Sequence, residues 1–334
     1  MSLAELVGSG LLAPGAELER VATGATWAEG PVWLPERRAV WFSDIPGDRI
    51  LQFDEATGAL STHRAGVEFT NGRTLDLDGA VVQCSHGRRA VERERDGEVT
   101  VLAERWNGVR FNSPNDVVVK SDGTIWFTDP SYGISKPQEG HPGETEYGDH
   151  YVFRLDPATG RVDPVVIDVE MPNGLAFSPD ESVLYVADSS LAPPTGVRDP
   201  ARPAGHAIHA YDVVGGRHAK NGRTFAVVDP GLPDGFRVDV AGNVWTSSAD
   251  AVQVFTAAGE LLGRIEVPEV VANLCFGGAD FRTLYVTATT SLYRIRTNTT
   301  GAPAASARAR PRRRRGPSSG TGGRGRPRGP ARRW

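Results

Sequence analysis

The chain has 334 residues, of which 39% are hydrophobic and 23% charged, and a formal net charge of −4. This is the composition of a soluble globular protein, and with no run of about 18 apolar residues a membrane-spanning helix is excluded. Residues 297–334 hold eleven arginines and no acid, which leaves the first 296 residues at −15; a body of that sign does not suit nucleic acid.

The opening MSLAELVGSGLLAPGAELER has neither a basic start nor an apolar core long enough for export, so a cytoplasmic protein is expected. Its 39 glycines and 24 prolines favour many turns and short strands over long helices. LERVAT, at Leu18 to Thr23, is the first strand candidate. After it comes EGPVWLPERRAVWFSD from Glu29, which reads as two short strands joined by a polar turn, followed by RILQFDE and LSTHRAG. The same two-strand phrase returns as NGRTLDLDGAVVQCS from Asn71 and NDVVVKSDGTIWFTD from Asn115. It returns again as NGLAFSPDESVLYVAD from Asn173, DGFRVDVAGNVWTSS from Asp234 and NLCFGGADFRTLYVTA from Asn273.

The intervals between these starts are 42, 44, 58, 61 and 39 residues, room for two further strands in most cases. Four short antiparallel strands recurring every forty-odd residues predict an all-β fold, a six-bladed β-propeller with four-stranded blades around a central channel. The last blade ends in SLYRIR and lacks an outer strand, which LERVAT is placed to supply. That closure would cover two sheet edges. The domain organisation expected is a propeller over 1–296 and an Arg/Pro/Gly-rich tail over 297–334. The tail has too few apolar residues to bury a core and is expected to be disordered and dispensable, the alternative being an arm drawn to RNA or membrane. Cys84 and Cys275 are expected to be buried, reduced thiols.

Each phrase opens on a residue with a side-chain oxygen: Glu29, Asn71, Asn115, Asn173, Asp234 and Asn273. In a propeller the first residues of the inner strands converge on one mouth of the channel. Unpaired polar groups there are costly, and two carboxylates with amide carbonyls make an all-oxygen site suited to Ca²⁺, Mg²⁺ or Mn²⁺. The absence of Cys and His from these positions argues against structural zinc. The alternative is a water-filled, hydrogen-bonded plug, with Asn71 and Asn273 the first candidates for serving turn backbone instead.

EGPVW, RFNSPNDVVVKSDGTIWFTDPSYGI, PNGLAFSPDESVLYVADS and PDGFRVDVAGNVW resemble the family of gluconolactonase, regucalcin (senescence marker protein) and luciferin-regenerating enzyme. TNGRTLDLDGAVVQCSHGRR is similar to the bacterial gluconolactonase branch. The likeness runs from about Glu19 to Arg296 with the motifs in order. It implies a six-bladed propeller with one catalytic divalent cation, Ca²⁺ first, with Mg²⁺, Mn²⁺ and Zn²⁺ as alternatives. The metal residues it implies are Glu29, Asn173 and Asp234, with Asn115 added from related calcium-dependent lactonases and phosphotriesterases of this fold. Regucalcin-like members use an Arg-Phe-Asn-Asp run to contact substrate. This chain has RFNSPND, two residues longer, so the implied contacts are Arg110 and either Asn112 or Asn115.

No G-x-S-x-G elbow is present, so water at the metal is the expected nucleophile. Asp234 is the first candidate for general base. Asp188, at a second-strand end, is the reserve, although Asp44 and Asp129 occupy equivalent places and suggest a structural role for all three. The loops Gly133 to His150 and Ser190 to Ala207 are expected to surround the entrance, with His86, Arg89 and Tyr132 nearby to contact a polyhydroxylated ligand. The function expected is hydrolysis of a small sugar lactone. Alternatives are ester or phosphotriester hydrolysis on the same metal, or a non-catalytic propeller that binds calcium or a partner protein.

Overall fold

A computed structural model of the protein describes residues 2–191 and 205–302. Six four-stranded antiparallel sheets stand around a central axis as the blades of a propeller. Blade 1 holds Ala28–Leu34, Ala39–Asp44, Arg49–Asp54 and Leu60–Ala65, from the axis outward. Blade 2 follows with Thr70–Leu75, Val81–Ser85, Ala90–Arg95 and Glu98–Ala103. Blade 3 has Val117–Val119, Ile125–Asp129, Tyr151–Asp156 and Arg161–Val166, and blade 4 has Pro172–Phe177, Val183–Asp188, Ala207–Val214 and His218–Val227. Phe236–Val238, Val244–Ser247, Ala251–Phe255 and Leu261–Glu266 make blade 5.

Blade 6 closes the ring. Its three C-terminal strands, Val271–Gly277, Thr283–Ala288 and Ser291–Arg296, are completed by Glu19–Thr23 from the other end of the chain. Glu19 pairs with Arg294 and Thr23 with Ser291, and an ion pair of 2.8 Å joins the Glu19 carboxylate to Arg294 Nε. The sheet edges that blade 6 and the N-terminal segment would otherwise expose are paired with each other. A short helix, Leu3–Gly8, lies ahead of this strand and seats its fully buried Leu6 against Gly263 of blade 5.

Residues 297–302 continue along the propeller: Thr297 bridges Leu12, and Gly301 bridges Asp239. Backbone bonds link Val240 N to Thr300 O and Ala302 N to Val238 O. Thr297 is buried, and its hydroxyl donates to Arg282 O. Residues 303–334 lie outside the described residues.

The blades pack through apolar layers. Trp126 of blade 3 is fully buried against Leu175, Leu184 and Val186 of blade 4, and Trp245 of blade 5 packs against Leu274 and Phe276 of blade 6. Large rings at these second-strand positions fill the wedge between neighbouring twisted sheets. Both cysteines are buried and free.

Glycine sets how close the inner strands come. The Gly174 N–H donates to Asp234 O of the next blade at 3.0 Å, and Gly72 makes the same bond to Asn115 O at 2.8 Å. A Cβ on Gly174 would stand 2.2 Å from Asp234 O. The Asn-Gly and Asp-Gly pairs thus join adjacent blades at the axis. In blade 3 the following residue is Asp116, whose buried carboxylate projects into the channel, 3.7 Å from Arg237 of blade 5.

Candidate metal centre and its cavity

The starts of the inner strands surround a cavity of about 150 Å³ lined by Glu29, Asn71, Asn115, Asn173 and Asp234 together with Trp27, Ile45, Tyr132, Lys136, Glu139, Ser189 and Leu232. All four residues expected to hold a metal, Glu29, Asn115, Asn173 and Asp234, lie on its wall.

The surrounding hydrogen bonds orient their oxygens. Asn173 Nδ2 donates to Ser189 Oγ at 3.1 Å, and that hydroxyl donates to Pro233 O at 2.6 Å. The amide nitrogen is therefore tied back and Oδ1 is left for the cavity. Asn115 Oδ1 accepts from Asn71 Nδ2 at 3.0 Å and keeps a second lone pair. Asn273 is spent on structure: its Nδ2 donates to Glu29 Oε2 at 3.0 Å and its Oδ1 accepts from Leu274 N.

Two acceptors are orphaned. Glu29 Oε1 and Asn71 Oδ1 are buried without a hydrogen-bond partner. Burial pushes the Glu29 carboxyl up to about 7, with the nearby Asp116 charge adding to the effect. Asp234 is held well above the usual carboxylate range, by burial first and by the Glu29 charge second. Two carboxylates that resist ionising together, beside unsatisfied oxygens, are what a divalent cation would satisfy. Among the described residues no group of three or more His, Cys, Asp or Glu is gathered to hold a metal. A cation here would therefore take amide oxygens beside the two carboxylates, a hard all-oxygen set.

The other expected site residues divide. Tyr132 lines the cavity, with Lys136 Nζ 4.7 Å from its ring centroid. His86 stands one layer behind. Its Nδ1 donates to Glu139 O at 3.0 Å, since a carbonyl can only accept, and Nε2 is left to accept from Asn71 Nδ2 at 3.4 Å. Burial lowers its pKa, so the ring is neutral.

Asp188 is not brought into the cavity. Its Oδ1 accepts from Met171 N and Ser190 N, which fastens the entry to the blade 4 inner strand. Asp44 holds Thr26 N and Trp27 N, and Asp129 holds Asn112 N and Ser113 N, in the same way. The reserve base is thus a repeated backbone clamp. Asn112 is fully buried, its Nδ2 donating to Asp129 O, Tyr147 Oη and Asp149 O, away from the cavity. Arg110 sits on a small hairpin, Arg105–Trp106 with Val109–Arg110, and donates to Arg88 O at 2.9 Å. Neither lines the cavity, and in RFNSPND it is Asn115 that joins the ring. Arg89 donates to Glu144 O and so ties down the loop from 133 to 150 rather than facing the cavity.

That loop supplies two cavity residues the sequence reading did not single out. Lys136 and Glu139 form a 3.1 Å ion pair on the cavity wall. Loop length marked the segment, but no spacing marked these two side chains. Trp27, just ahead of a motif, and Ser189, the last residue of PNGLAFSPDESVLYVADS, were not marked by any spacing either. Most of the second expected mouth loop, residues 192–204, lies outside the described residues.

The SMP-30/Gluconolactonase/LRE-like region family matches residues 27–290, and the chain belongs to that family. Among its relatives, the gluconolactonase of Zymomonas mobilis is 32% identical over 310 residues, covering 85% of this chain and 82% of that one. The pentonolactonase XacC of Haloferax volcanii is 32% identical over 276 residues, 80% of this chain and 83% of its own. A gluconolactonase structure from Xanthomonas campestris superposes with a TM-score of 0.78 at 38% identity, covering 87% of this chain and 92% of that chain.

Proposed function

We propose that the protein is a lactone hydrolase that opens sugar lactones, aldonolactones above all, at the cavity between Glu29 and Asp234. The observation that carries this reading is the convergence on one small cavity of two mutually destabilised carboxylates and oriented amide oxygens. Relatives named as gluconolactonase and pentonolactonase support the substrate class.

Glu29, Asn115, Asn173 and Asp234 would hold a divalent cation, Ca²⁺ first. When bound it would polarise the lactone carbonyl and make water more acidic. Among the described residues no hydrogen bond reaches the Asp234 carboxylate, and it takes the proton of the attacking water. Water adds to the carbonyl carbon, the bond from that carbon to the ring oxygen breaks, and the proton goes to the departing ring oxygen, which becomes a hydroxyl. The product is the open aldonic acid. Lys136 and Glu139 bind substrate hydroxyls, while Trp27, Ile45 and Leu232 pack against its C–H faces and thin out water.

The test is hydrolysis of D-glucono-δ-lactone, and of a pentonolactone beside it, by metal-stripped protein with Ca²⁺, Mg²⁺, Mn²⁺ and Zn²⁺ restored one at a time. Activity that returns with a cation and is lost in Glu29→Gln and Asp234→Asn is expected. Hydrolysis that survives both substitutions would overturn the assignment of the site.

A further inference from the structure

A chain of hydrogen bonds runs from the 133–150 loop to Asn115 through His86 and Asn71. His86 directly follows the second strand of blade 2, Asn71 lies in the first strand of the same blade, and Asn115 precedes the inner strand of blade 3. All three are buried, His86 at 0%, Asn71 at 5% and Asn115 at 4% exposure. Packing fixes where the chain begins. A Cβ on Gly133 would stand 2.5 Å from His86 Cβ, and one on Gly140 would stand 2.1 Å from Gly133 O, so the loop is seated directly on the His86 side chain.

The chain has one sense only. Glu139 O can only accept, which puts the imidazole proton on Nδ1 and leaves Nε2 bare. Asn71 must then turn Nδ2 toward the ring, at 3.4 Å, and the second hydrogen of that nitrogen goes to Asn115 Oδ1 at 3.0 Å. With the Asn71 amide reversed, its oxygen would face two acceptors. With the Asn115 amide reversed, two NH₂ groups would face each other.

We propose that His86 and Asn71 are positioning residues for Asn115. The loop carbonyl sets the His86 tautomer, the tautomer sets the Asn71 amide, and that amide holds the Asn115 oxygen in the orientation in which it meets a cation. This role rests on the cation site proposed above for Asn115, and it extends that site by two residues that do not themselves hold the ion.

Calorimetric titration with Ca²⁺ and nitrogen-15 NMR of the imidazole test it. In the parent, His86, identified by the signals missing from His86→Phe or His86→Asn, should show a protonated Nδ1 and a bare Nε2. Asn71→Leu should shift the Nε2 signal and lower Ca²⁺ affinity about 10–100-fold. His86→Phe, which keeps a ring but cannot accept, should lower it about tenfold. The double variant should bind no more weakly than Asn71→Leu alone, because residues acting in series do not add. Losses that multiply in the double variant would mean two independent structural effects and would overturn the relay. So would an Nε2-protonated ring in the parent, or Ca²⁺ affinity unchanged in His86→Phe. A parent that binds no Ca²⁺ would remove the cation site itself, and the positioning role with it, whereas unchanged affinity in His86→Phe removes the positioning role alone.

Discussion

Asn273 Nδ2 donates to Glu29 Oε2 at 3.0 Å, across the junction between the last blade and the first. The bond fixes one oxygen of the carboxylate and leaves Oε1, which has no partner, to the cavity. Glu29→Gln keeps the shape and removes the charge, and it should lower Ca²⁺ affinity on the order of 100-fold or more. Asn273→Ala removes only the orientation and should cost about 10–100-fold, the range for groups that position a ligand. Calorimetric titration with Ca²⁺ measures both. Unchanged affinity in Glu29→Gln would take this residue out of the cation site.

Gly174 offers a test that leaves every oxygen donor in place. Its Cβ position is 2.2 Å from Asp234 O, and the offending atom is backbone. Gly174→Ala must push blades 4 and 5 apart at the axis. A stability loss of about 1–3 kcal/mol is expected from the overpacking, together with weaker cation binding because Asp234 and Asn173 move apart. Urea unfolding reads the first quantity and Ca²⁺ titration the second. A variant as stable as the parent would mean that the inner strands are not held at this spacing.

The propeller was legible because its signal repeats. Six polar-opened strand pairs at regular spacing left little choice of fold, and the need for an outer strand pointed to residues just before Glu29. The ring was legible for the same reason, since strand starts in a propeller must converge. What failed were assignments resting on a single position. Asp188 sits where a catalytic group would be plausible, yet its Oδ1 accepts two backbone N–H groups, as does Oδ1 of Asp44, and Asp129 takes one on each oxygen. Asn112 and Asn115 are three residues apart in RFNSPND, and only the fold shows that Asn112 turns inward to the end of its own blade. Lys136 and Glu139 reach the cavity by the path of an irregular loop, which no periodicity encodes.

His86 is neutral by construction. Burial lowers its pKa from the ordinary value of 6.5, and Glu139 O holds the proton on Nδ1. A depressed folded-state pKa contributes stability above the unfolded value, which is lost as pH falls, because the unfolded chain then takes up the proton first. The parent should therefore lose stability between pH 6.5 and the lower folded-state value, and His86→Asn should lose less over that interval. Urea midpoints measured across the range make the comparison. Parallel slopes for the two proteins would show that His86 does not stay neutral.

The ion pair between Lys136 and Glu139 lines the cavity at 3.1 Å, with Lys136 31% and Glu139 19% exposed. A pair this open adds little to stability, and both groups lie where substrate hydroxyls would reach. Lys136→Met should raise KM for an aldonolactone about tenfold, the worth of a charged hydrogen bond, with a smaller change in kcat. The melting temperature should hold. A fall in kcat with KM unchanged would move Lys136 from binding the substrate to acting on the reacting atoms.

Ring closure by Glu19–Thr23 makes the N-terminal segment a structural part of blade 6 rather than a lead-in to blade 1. Without it, Ser291–Arg296 becomes an outer strand with an unpaired edge, and the anchor between Glu19 and Arg294 is gone. Removing residues 1–23 should lower the melting temperature by several degrees. It should also produce concentration-dependent self-association, because a bare edge pairs with another copy. The cavity proposed to hold the cation shares blade 6 through Asn273, so Ca²⁺ affinity should fall alongside. Sedimentation at two concentrations, with Ca²⁺ titration of the same samples, tests the coupling. A truncated protein that stays monomeric and binds Ca²⁺ like the parent would show that the inner strands hold the ring without the outer clasp.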